Sequence, residues 1–264
     1  MSQVLTMEWI EYIFSHEFRA FILDNHLFVL LLFLARALAF TGLELIVPAR
    51  KISYRSVFLY DLIGCTLVGF VLVPAAQFLS NQIVIRAHVP EFILALPVGI
   101  RFVLYYVVGD FGAYWMHRFV HLHPIWRIHK WHHSPATLYW LAGYRASLPQ
   151  QTLFNLPWMF AYPLFDLSPW WIWLAVLSSH LVLNDWMHMN VSWRSNWLEL
   201  VLVTPRYHHI HHSDNPAHYT ANLGVTFTLW DRLFGTYVDP DEVKESLTYG
   251  IPEKVPLVRL VAGI

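Results

Sequence analysis

Apolar residues run along this chain in long blocks rather than in the one-sided faces of a soluble helical protein. Three blocks of at least 20 residues cover positions 27–47, 57–79 and 92–116. A helix of about 20 apolar residues crosses the ~30 Å hydrocarbon layer of a bilayer. The pattern therefore predicts three transmembrane helices within residues 27–116.

Two shorter apolar blocks follow, at 152–165 and 170–187. They predict a helical hairpin over residues 152–187, either spanning the bilayer or entering it from one side. Trp and Tyr crowd the ends of this pair, as in the aromatic belt at a membrane interface. The expected fold is all-α, a single integral membrane domain over residues 1–264 with four to five apolar helices.

The composition supports this class. Charged residues make up 13% of the chain and hydrophobic residues 56%, whereas soluble domains carry about a quarter charged residues. A formal net charge of −1 gives nucleic acid no electrostatic attraction. Cys65 is the only cysteine, which excludes disulfide frameworks, iron–sulfur clusters and cysteine-based zinc sites.

Loop charge predicts the orientation. The loop after the first block and the loop of residues 117–151 contain no acid, and their basic residues are Arg50, Lys51, Arg55, Arg118, Arg127, Lys130 and Arg145. Basic loops stay on the cytoplasmic side. This rule places residues 117–151 and 188–240 on the cytoplasmic face of a bacterial inner membrane or the endoplasmic reticulum. Residues 241–264 form the tail.

Histidine is the chemical anomaly, because 13 of the 16 histidines fall between positions 117 and 218. Three clusters stand out, two within residues 117–151 and one within 188–240: His117 and His121; His129, His132 and His133; His208, His209, His211 and His212. In a helix, residues three and four apart share a face, so each cluster is expected to point its imidazoles one way.

His209 points away from the shared face of its cluster, and the other eight imidazoles are too many for one metal, so the count predicts a cytosolic histidine-rich site for two metal ions. Neutral imidazole suits iron, zinc and copper, whereas magnesium and calcium prefer oxygen ligands. Oxygen chemistry favours two iron ions, with zinc possible as a substitute.

Four segments resemble the fatty acid hydroxylase and sterol desaturase superfamily. They cover residues 109–118, 122–134, 203–213 and 229–237, within a wider similarity over residues 44–240. The resemblance implies a membrane-embedded di-iron oxygenase with its site on the cytosolic side of a short helical bundle. It also implies hydroxylation or desaturation of a sterol, fatty acyl chain, alkylglycerol or carotenoid with O2.

The resemblance further implies a ligand set: His117, His121, His129, His132, His133, His208, His211 and His212. The segment His188-Met-Asn-Val resembles the family's His-x-Asn-Val, which makes His188 a ninth ligand. Asn184, one helical turn earlier, is a further candidate ligand or holds a water. His180 is the rival of His188, but eight helical residues separate them by about 12 Å.

Two departures from the family pattern are visible. The sequence continues from Arg145 as Ala-Ser-Leu where many relatives have Arg-x-His-Pro, and His209 stands where arginine is common. Both changes are expected to affect substrate or neighbouring contacts rather than the main ligands.

Several polar residues outside the clusters have open roles. Asp110 lies within the third apolar block, seven residues before His117 and on the same helical face. Two interpretations stay open for it: a role beside the first cluster, or a buried pair with Arg36 or Arg101. Asp231 and Arg232 are expected either to orient ligating imidazoles or to form a salt bridge that holds the tail. The remaining histidines are expected to be structural or superficial: His16, His26, His88, His123 and His218.

The leading functional prediction is an oxidoreductase in lipid biosynthesis that takes electrons from outside. The sequence has no Gly-x-Gly-x-x-Gly dinucleotide fingerprint and no Cys-x-x-Cys-His haem attachment. A b-type cytochrome or a ferredoxin, with its reductase, is therefore the expected donor, docking on the basic loop. The alternatives are a membrane zinc hydrolase, a haem-binding electron carrier and a metal transporter, and no glutamate lies within any cluster to serve a hydrolase as base.

Overall fold

The chain folds as a helical bundle in the computed structural model, which describes residues 26–72, 75, 89–167 and 170–264. Its helices in chain order are α1 (His26–Ile46), α2 (Tyr54–Leu67), α3 (Glu91–Leu94), α4 (Val98–Val120), α5 (Leu148–Phe165), α6 (Trp170–His188), α7 (Asn196–Glu199), α8 (Pro205–His211), α9 (Leu229–Phe234) and α10 (Leu257–Ala262). Strand pairing over these ranges is limited to isolated bridges. The all-α prediction is confirmed.

The long helices follow the predicted blocks with shifted ends. The third block is divided, because Pro97 separates α3 from α4 and stands at the N-cap of α4. α4 then continues past position 116 to Val120 and so carries His117. α5 begins four residues before its block, because the Ser147 side chain caps it by accepting from the Gln150 N–H.

Part of the second block lies outside the described residues. α2 passes into a π-helical turn, Val68–Leu72, and most of the predicted extension to position 79 is not described, nor are His16 and His88. Within the described ranges, no helix combines the length and apolarity that crossing a membrane would require.

Small residues let α4 and α5 approach closely. A Cβ atom on Gly109 would lie 2.3 Å from the Trp158 ring, and one on Gly112 would lie 2.6 Å from Pro157. The gap between the two helices therefore has no room for a side chain at either glycine. This contact fixes the end of α4, which carries two of the predicted ligands.

Buried charges connect the helices to the loops around them. Arg36 of α1 forms an ion pair with Asp185 of α6 at 2.6 Å, and Asp61 of α2 pairs with Arg145 at 2.5 Å. Glu44 accepts from the backbone N–H groups of Trp140 and Asn190, each at 2.8 Å. Burying a charge is costly unless it is paired, so these contacts fix the packing.

The predicted pairing of Asp110 is wrong. Its carboxylate accepts from the backbone N–H groups of Thr226 and Phe227 and from the Trp230 indole, at 2.7, 3.0 and 2.9 Å. Arg101 pairs instead with Asp166. Asp110 therefore attaches α4 to the segment before α9, because donors from that segment satisfy it without any cation.

Candidate metal centre

Nine histidines from four parts of the chain meet in one region. α4 supplies His117 in its last turn and His121 at its C-cap. α6 ends at His188. Consecutive turns after the short 3₁₀-helix Trp126–Ile128 supply the second cluster, and α8 with its C-cap residue supplies the third.

The second cluster is not helical, which corrects the geometry assumed from its spacing. Its backbone forms four-residue turns instead, with His132 N–H donating to the His129 carbonyl at 3.0 Å and Ser134 N–H to the Trp131 carbonyl at 3.1 Å. Pro124 contributes to the break after α4, because the residue before a proline disfavours the helical conformation.

The nine imidazoles form two groups, and within each group the ligand atoms lie within 4.8 Å of one another. The five-histidine group contains His117, His121, His129, His133 and His211. The four-histidine group contains His132, His188, His208 and His212. The groups adjoin, since the rings of His133 and His212 are 4.4 Å apart. All these side chains are buried except His121, which is half-buried.

The second and third clusters are each divided between the groups, so the expectation that each points one way is wrong for both. On α8, His208 and His212 are four residues apart and face the same group. His211 precedes His212 by one residue, which rotates it about 100° around the helix axis toward the other group. A single short helix therefore contributes to both groups.

Distances within the four-histidine group match a metal's coordination sphere. The Nε2 atom of His188 lies 3.4 Å from that of His132 and 3.2 Å from that of His208, and the Nε2 atoms of His208 and His212 are 3.0 Å apart. Imidazoles bound to one metal at about 2.1 Å, with angles between 90° and 109°, place their nitrogens ~3.0–3.4 Å apart.

Hydrogen bonds to backbone carbonyls fix which nitrogen of a ring carries the proton. His132 Nδ1 donates to the Arg145 carbonyl at 3.2 Å, and His188 Nδ1 donates to the Asn184 carbonyl at 2.7 Å. The Nε2 atoms of these two rings are then both acceptors and cannot bond to each other. A metal cation bound between the two Nε2 atoms would accept a lone pair from each, which explains why two hydrogen-bond acceptors lie so close together.

The five-histidine group has the same feature. His117 Nδ1 donates to the Leu223 carbonyl at 2.7 Å, and His211 Nδ1 donates to the Ala221 carbonyl at 3.0 Å. The Nε2 atoms of His121, His133 and His211 are buried and have no hydrogen-bond partner in the part of the chain that the structure describes. Buried polar atoms in proteins almost always have partners, so both groups fit metal ions.

The donor set restricts the kind of metal. Burial lowers the pKa of His117 and of His188 to about 4, so both imidazoles are neutral at physiological pH and available as ligands. Neither group includes a carboxylate. An all-imidazole site suits iron, zinc or copper and disfavours magnesium and calcium.

The other predicted site residues lie around these groups. Asn184 is half-buried and its carbonyl orients His188, while its role as a ligand stays a prediction. His180 belongs to neither group; its ring packs 4.4 Å from Trp158, and its Nε2 lies 3.1 Å from the Tyr105 hydroxyl. His209 is buried beside Arg50, with its Nε2 3.3 Å from the His188 carbonyl.

The two remaining histidines of this region stand apart from the groups. His123 is exposed, and His218 forms a 2.7 Å hydrogen bond with Ser213. Both positions agree with the structural or superficial roles expected for them.

Two features that shape the metal groups could not be found from the pattern of histidines in the sequence. The backbone carbonyls that orient the imidazoles carry no side-chain signal. Gly143 is the other: a Cβ atom there would lie 2.4 Å from His188 Nδ1, so only glycine leaves room for that ring.

The predicted role of Asp231 is indirect. Its carboxylate accepts from the backbone N–H groups of Leu223 and Gly224, each at 2.7 Å, and so fixes the carbonyl that holds His117. Among the described residues Asp231 forms no salt bridge, and Arg232 instead stacks over the Tyr237 ring at 3.9 Å.

The expected basic docking surface is smaller than the sequence indicated. Arg145 is paired with Asp61, and Lys130 forms an ion pair with Glu253. Arg118 is half-buried and donates to the Phe234 carbonyl. Arg127 remains exposed.

Known proteins with similar sequences align with part of this chain. An alkylglycerol monooxygenase from Xenopus tropicalis is 33% identical over 55% of this chain and 32% of its own length. An ornithine lipid hydroxylase from Rhizobium tropici is 34% identical over 60% of this chain and 48% of its own. A Delta(7)-sterol 5(6)-desaturase from Aspergillus fumigatus is 27% identical over 55% and 50%. The chain thus matches about a third to a half of these relatives, and no solved structure matches it.

A family model covers the region that holds the metal groups. The model described as "Fatty acid hydroxylase" matches residues 102–236, which is half of the chain and includes all nine grouped histidines. This match confirms the resemblance in the four sequence segments. The chain belongs to the fatty acid hydroxylase family, within the fatty acid hydroxylase and sterol desaturase superfamily.

Proposed function

We propose that this chain is an oxidoreductase that binds two iron ions and uses O2 to hydroxylate or desaturate a lipid, in lipid biosynthesis. The observation that carries the proposal is the pair of adjoining all-histidine groups whose unprotonated nitrogens converge. Zinc fits the same ligands but has no redox chemistry. The names of the relatives describe a monooxygenase, a hydroxylase and a desaturase, all of which are oxidising enzymes.

The histidines hold the metals, and burial of the groups excludes water from them. When bound, the two irons supply the activation of O2 that the protein's own side chains lack. Hydroxylation balances as R–H + O2 + 2e⁻ + 2H⁺ → R–OH + H2O. Two electrons and two protons must therefore arrive from outside in every turnover.

We infer a lipid substrate and a membrane location. The relatives' names specify an alkylglycerol, an ornithine lipid and a sterol, which share a lipid character. Apolar side chains on α1 and α2 are exposed, with Leu38 and Ile46 at 77% and Leu59 at 68%. Lipid would cover this surface. We propose that residues 1–264 form one membrane domain with its metal site on the cytoplasmic side.

We further infer an external electron donor, either a b-type cytochrome or a ferredoxin with its reductase. The 264 residues contain one cysteine and no dinucleotide fingerprint, so they offer no relay for electrons from a nicotinamide. Arg127 is the exposed cation nearest in sequence to the second cluster. Because Lys130 and Arg145 are already paired with acids, docking is expected to weaken only moderately as salt rises.

The test is metal analysis joined to an isotope experiment. Purified protein loaded with Fe²⁺ should hold two irons per chain and transfer one atom of ¹⁸O2 to an alkylglycerol, ornithine lipid or sterol when a reductase and carrier are present. If the reaction is desaturation, a double bond forms and the ¹⁸O appears in water. His211→Ala should lose both metal and product, whereas the exposed control His123→Ala should keep them. Zinc as the sole bound metal, with a product formed without O2, would overturn the proposal.

A further inference from the structure

Alternate carbonyls of one segment orient two ligands of the five-histidine group. This segment, the carbonyl strip, comprises residues 221–223. The Ala221 carbonyl accepts a hydrogen bond from the His211 imidazole at 3.0 Å, and the Leu223 carbonyl accepts one from His117 at 2.7 Å. The position of the strip therefore decides where two converging nitrogens point.

A single carboxylate holds the end of the strip. Asp231, fully buried at the start of α9, accepts from Leu223 N–H and Gly224 N–H at 2.7 Å. It also accepts from the hydroxyls of Tyr207 and Thr236, at 2.9 and 2.6 Å. Four neutral donors thus converge on one carboxylate, an arrangement that fixes its position and that of the strip.

The middle of the strip is held by Asn222. Its backbone is in the left-handed region, with φ at 52°. Its side-chain amide accepts from Val238 N–H at 2.8 Å and donates to the carbonyls of Tyr207 and Val238. Asparagine tolerates this conformation better than most residues, so the strip keeps its alternating carbonyls on one side.

The four-histidine group depends on other elements. His188 donates to the Asn184 carbonyl within α6, and His132 donates to the backbone carbonyl of Arg145. The side chain of Arg145 forms an ion pair with Asp61. Neither of these carbonyls belongs to the strip. Disturbing the strip should therefore affect one metal group and leave the other in place.

We propose that Asp231 is a positioning residue that sets the metal affinity of the five-histidine group alone. This inference rests on the proposed metal binding and not on the reaction. Replacing a group that orients a ligating histidine typically weakens metal binding about tenfold to a hundredfold. Asp231→Asn keeps the volume but leaves one oxygen to serve four donors, so an effect of this size is expected.

The experiment is a titration of metal-free full-length protein with Fe²⁺ under anaerobic conditions, resolved into two sites by calorimetry. Asp231→Asn should weaken one site by ten- to a hundredfold and leave the other unchanged. In a His208→Ala background, where the four-histidine group is disabled, Asp231→Asn should still weaken the remaining site. In a His211→Ala background it should have no further effect.

The matched control is Asp110→Asn, which removes a buried carboxylate that also accepts from two backbone N–H groups and a side chain, but beyond the strip. It should lower the unfolding temperature without changing either metal affinity. If Asp231→Asn does not fold, Thr236→Val removes one of the four donors and should weaken the same site to a smaller degree.

Each outcome distinguishes the two proposals. Equal weakening of both sites, or no weakening, overturns the role of Asp231 and leaves the proposed function standing. Absence of metal binding by the unaltered chain overturns both. Selective weakening of one site, with normal two-site binding in the unaltered chain, supports the inference whether or not a lipid product is found.

Discussion

Gly143→Ala should disable the four-histidine group with the addition of one methyl group. Gly143 lies in the 3₁₀-helix Trp140–Tyr144, and a Cβ atom there would stand 2.4 Å from His188 Nδ1 and 2.7 Å from its Cε1. Ordinary contact between such atoms is about 3.5 Å. The ring or the backbone must therefore shift by about 1 Å.

A shift of this size conflicts with two requirements of His188. Its Nδ1 bond to the Asn184 carbonyl is 2.7 Å long, and a further 1 Å takes it beyond hydrogen-bond reach. Its Nε2 atom must stay 3.2–3.4 Å from three other nitrogens. Overpacking of a buried site costs about 1–3 kcal/mol. If that cost falls on the metal-bound arrangement, the affinity drops about tenfold to a hundredfold, because 1.4 kcal/mol is a factor of ten.

The assay is iron content per chain after dialysis against a weak chelator, together with thermal unfolding. Gly143→Ala should retain one iron where the unaltered chain retains two. Gly64→Ala is the matched control, since its Cβ would meet only the Trp131 ring at 3.8 Å. Gly64 lies in α2, where alanine is the better helix former by up to about 1 kcal/mol. Full iron retention by Gly143→Ala would refute the reasoning.

Three further outcomes are expected. His211→Ala should lower bound iron and abolish product, whereas His209→Ala should reduce activity less, because His209 contacts the His188 carbonyl, Arg50 and the Tyr249 ring and belongs to neither metal group; full activity with iron retained in His211→Ala would remove it from the ligand set. His188→Ala should inactivate and His180→Ala should leave most activity, as measured by product formation, and the reverse ranking would exchange their roles. Iron-loaded protein given lipid and O2 without a donor should stop after the electrons it already holds are used, and sustained turnover would contradict the need for a donor.

The sequence predicted the helices well because long apolar blocks leave few alternatives. The first block and α1 differ by one residue at each end, and α6 ends one residue past its block. Capping accounts for the shifted start of α5 at Ser147, and proline accounts for the division at Pro97. Such local signals move a boundary without changing the element.

The division of the nine histidines into two groups could not be predicted from the sequence, for a physical reason. Spacing indicates which residues of one helix share a face, but it does not say which ring from another element will meet that face. His129 and His132 are three apart, and their rings pack 4.9 Å from each other, yet they point into different groups because the backbone there turns instead of continuing as a helix. The division into five and four therefore depends on the tertiary structure.

The hydrogen-bond donors to the buried carboxylates could not be predicted from the sequence either. Asp110 lies within reach of arginine in many arrangements of the helices, and the actual donors are two backbone N–H groups and an indole more than 100 positions away. Asp231 likewise acts through backbone atoms. A backbone donor has no residue type, so no sequence pattern predicts it.

α8 offers a test of how the two groups are joined, because it supplies His211 to one and His208 to the other. The Thr204 hydroxyl caps this helix by accepting from Tyr207 N–H and donates to Glu199 at 2.8 Å. Replacing such a cap with alanine costs about 1 kcal/mol. Thr204→Ala should therefore loosen α8 and weaken both iron sites by a similar factor of about five, whereas Thr204→Ser keeps the hydroxyl and should preserve them. Two-site titration measures both affinities at once. Weakening of only one site would mean that α8 does not hold the two groups as one unit, and that each is fixed by its other elements.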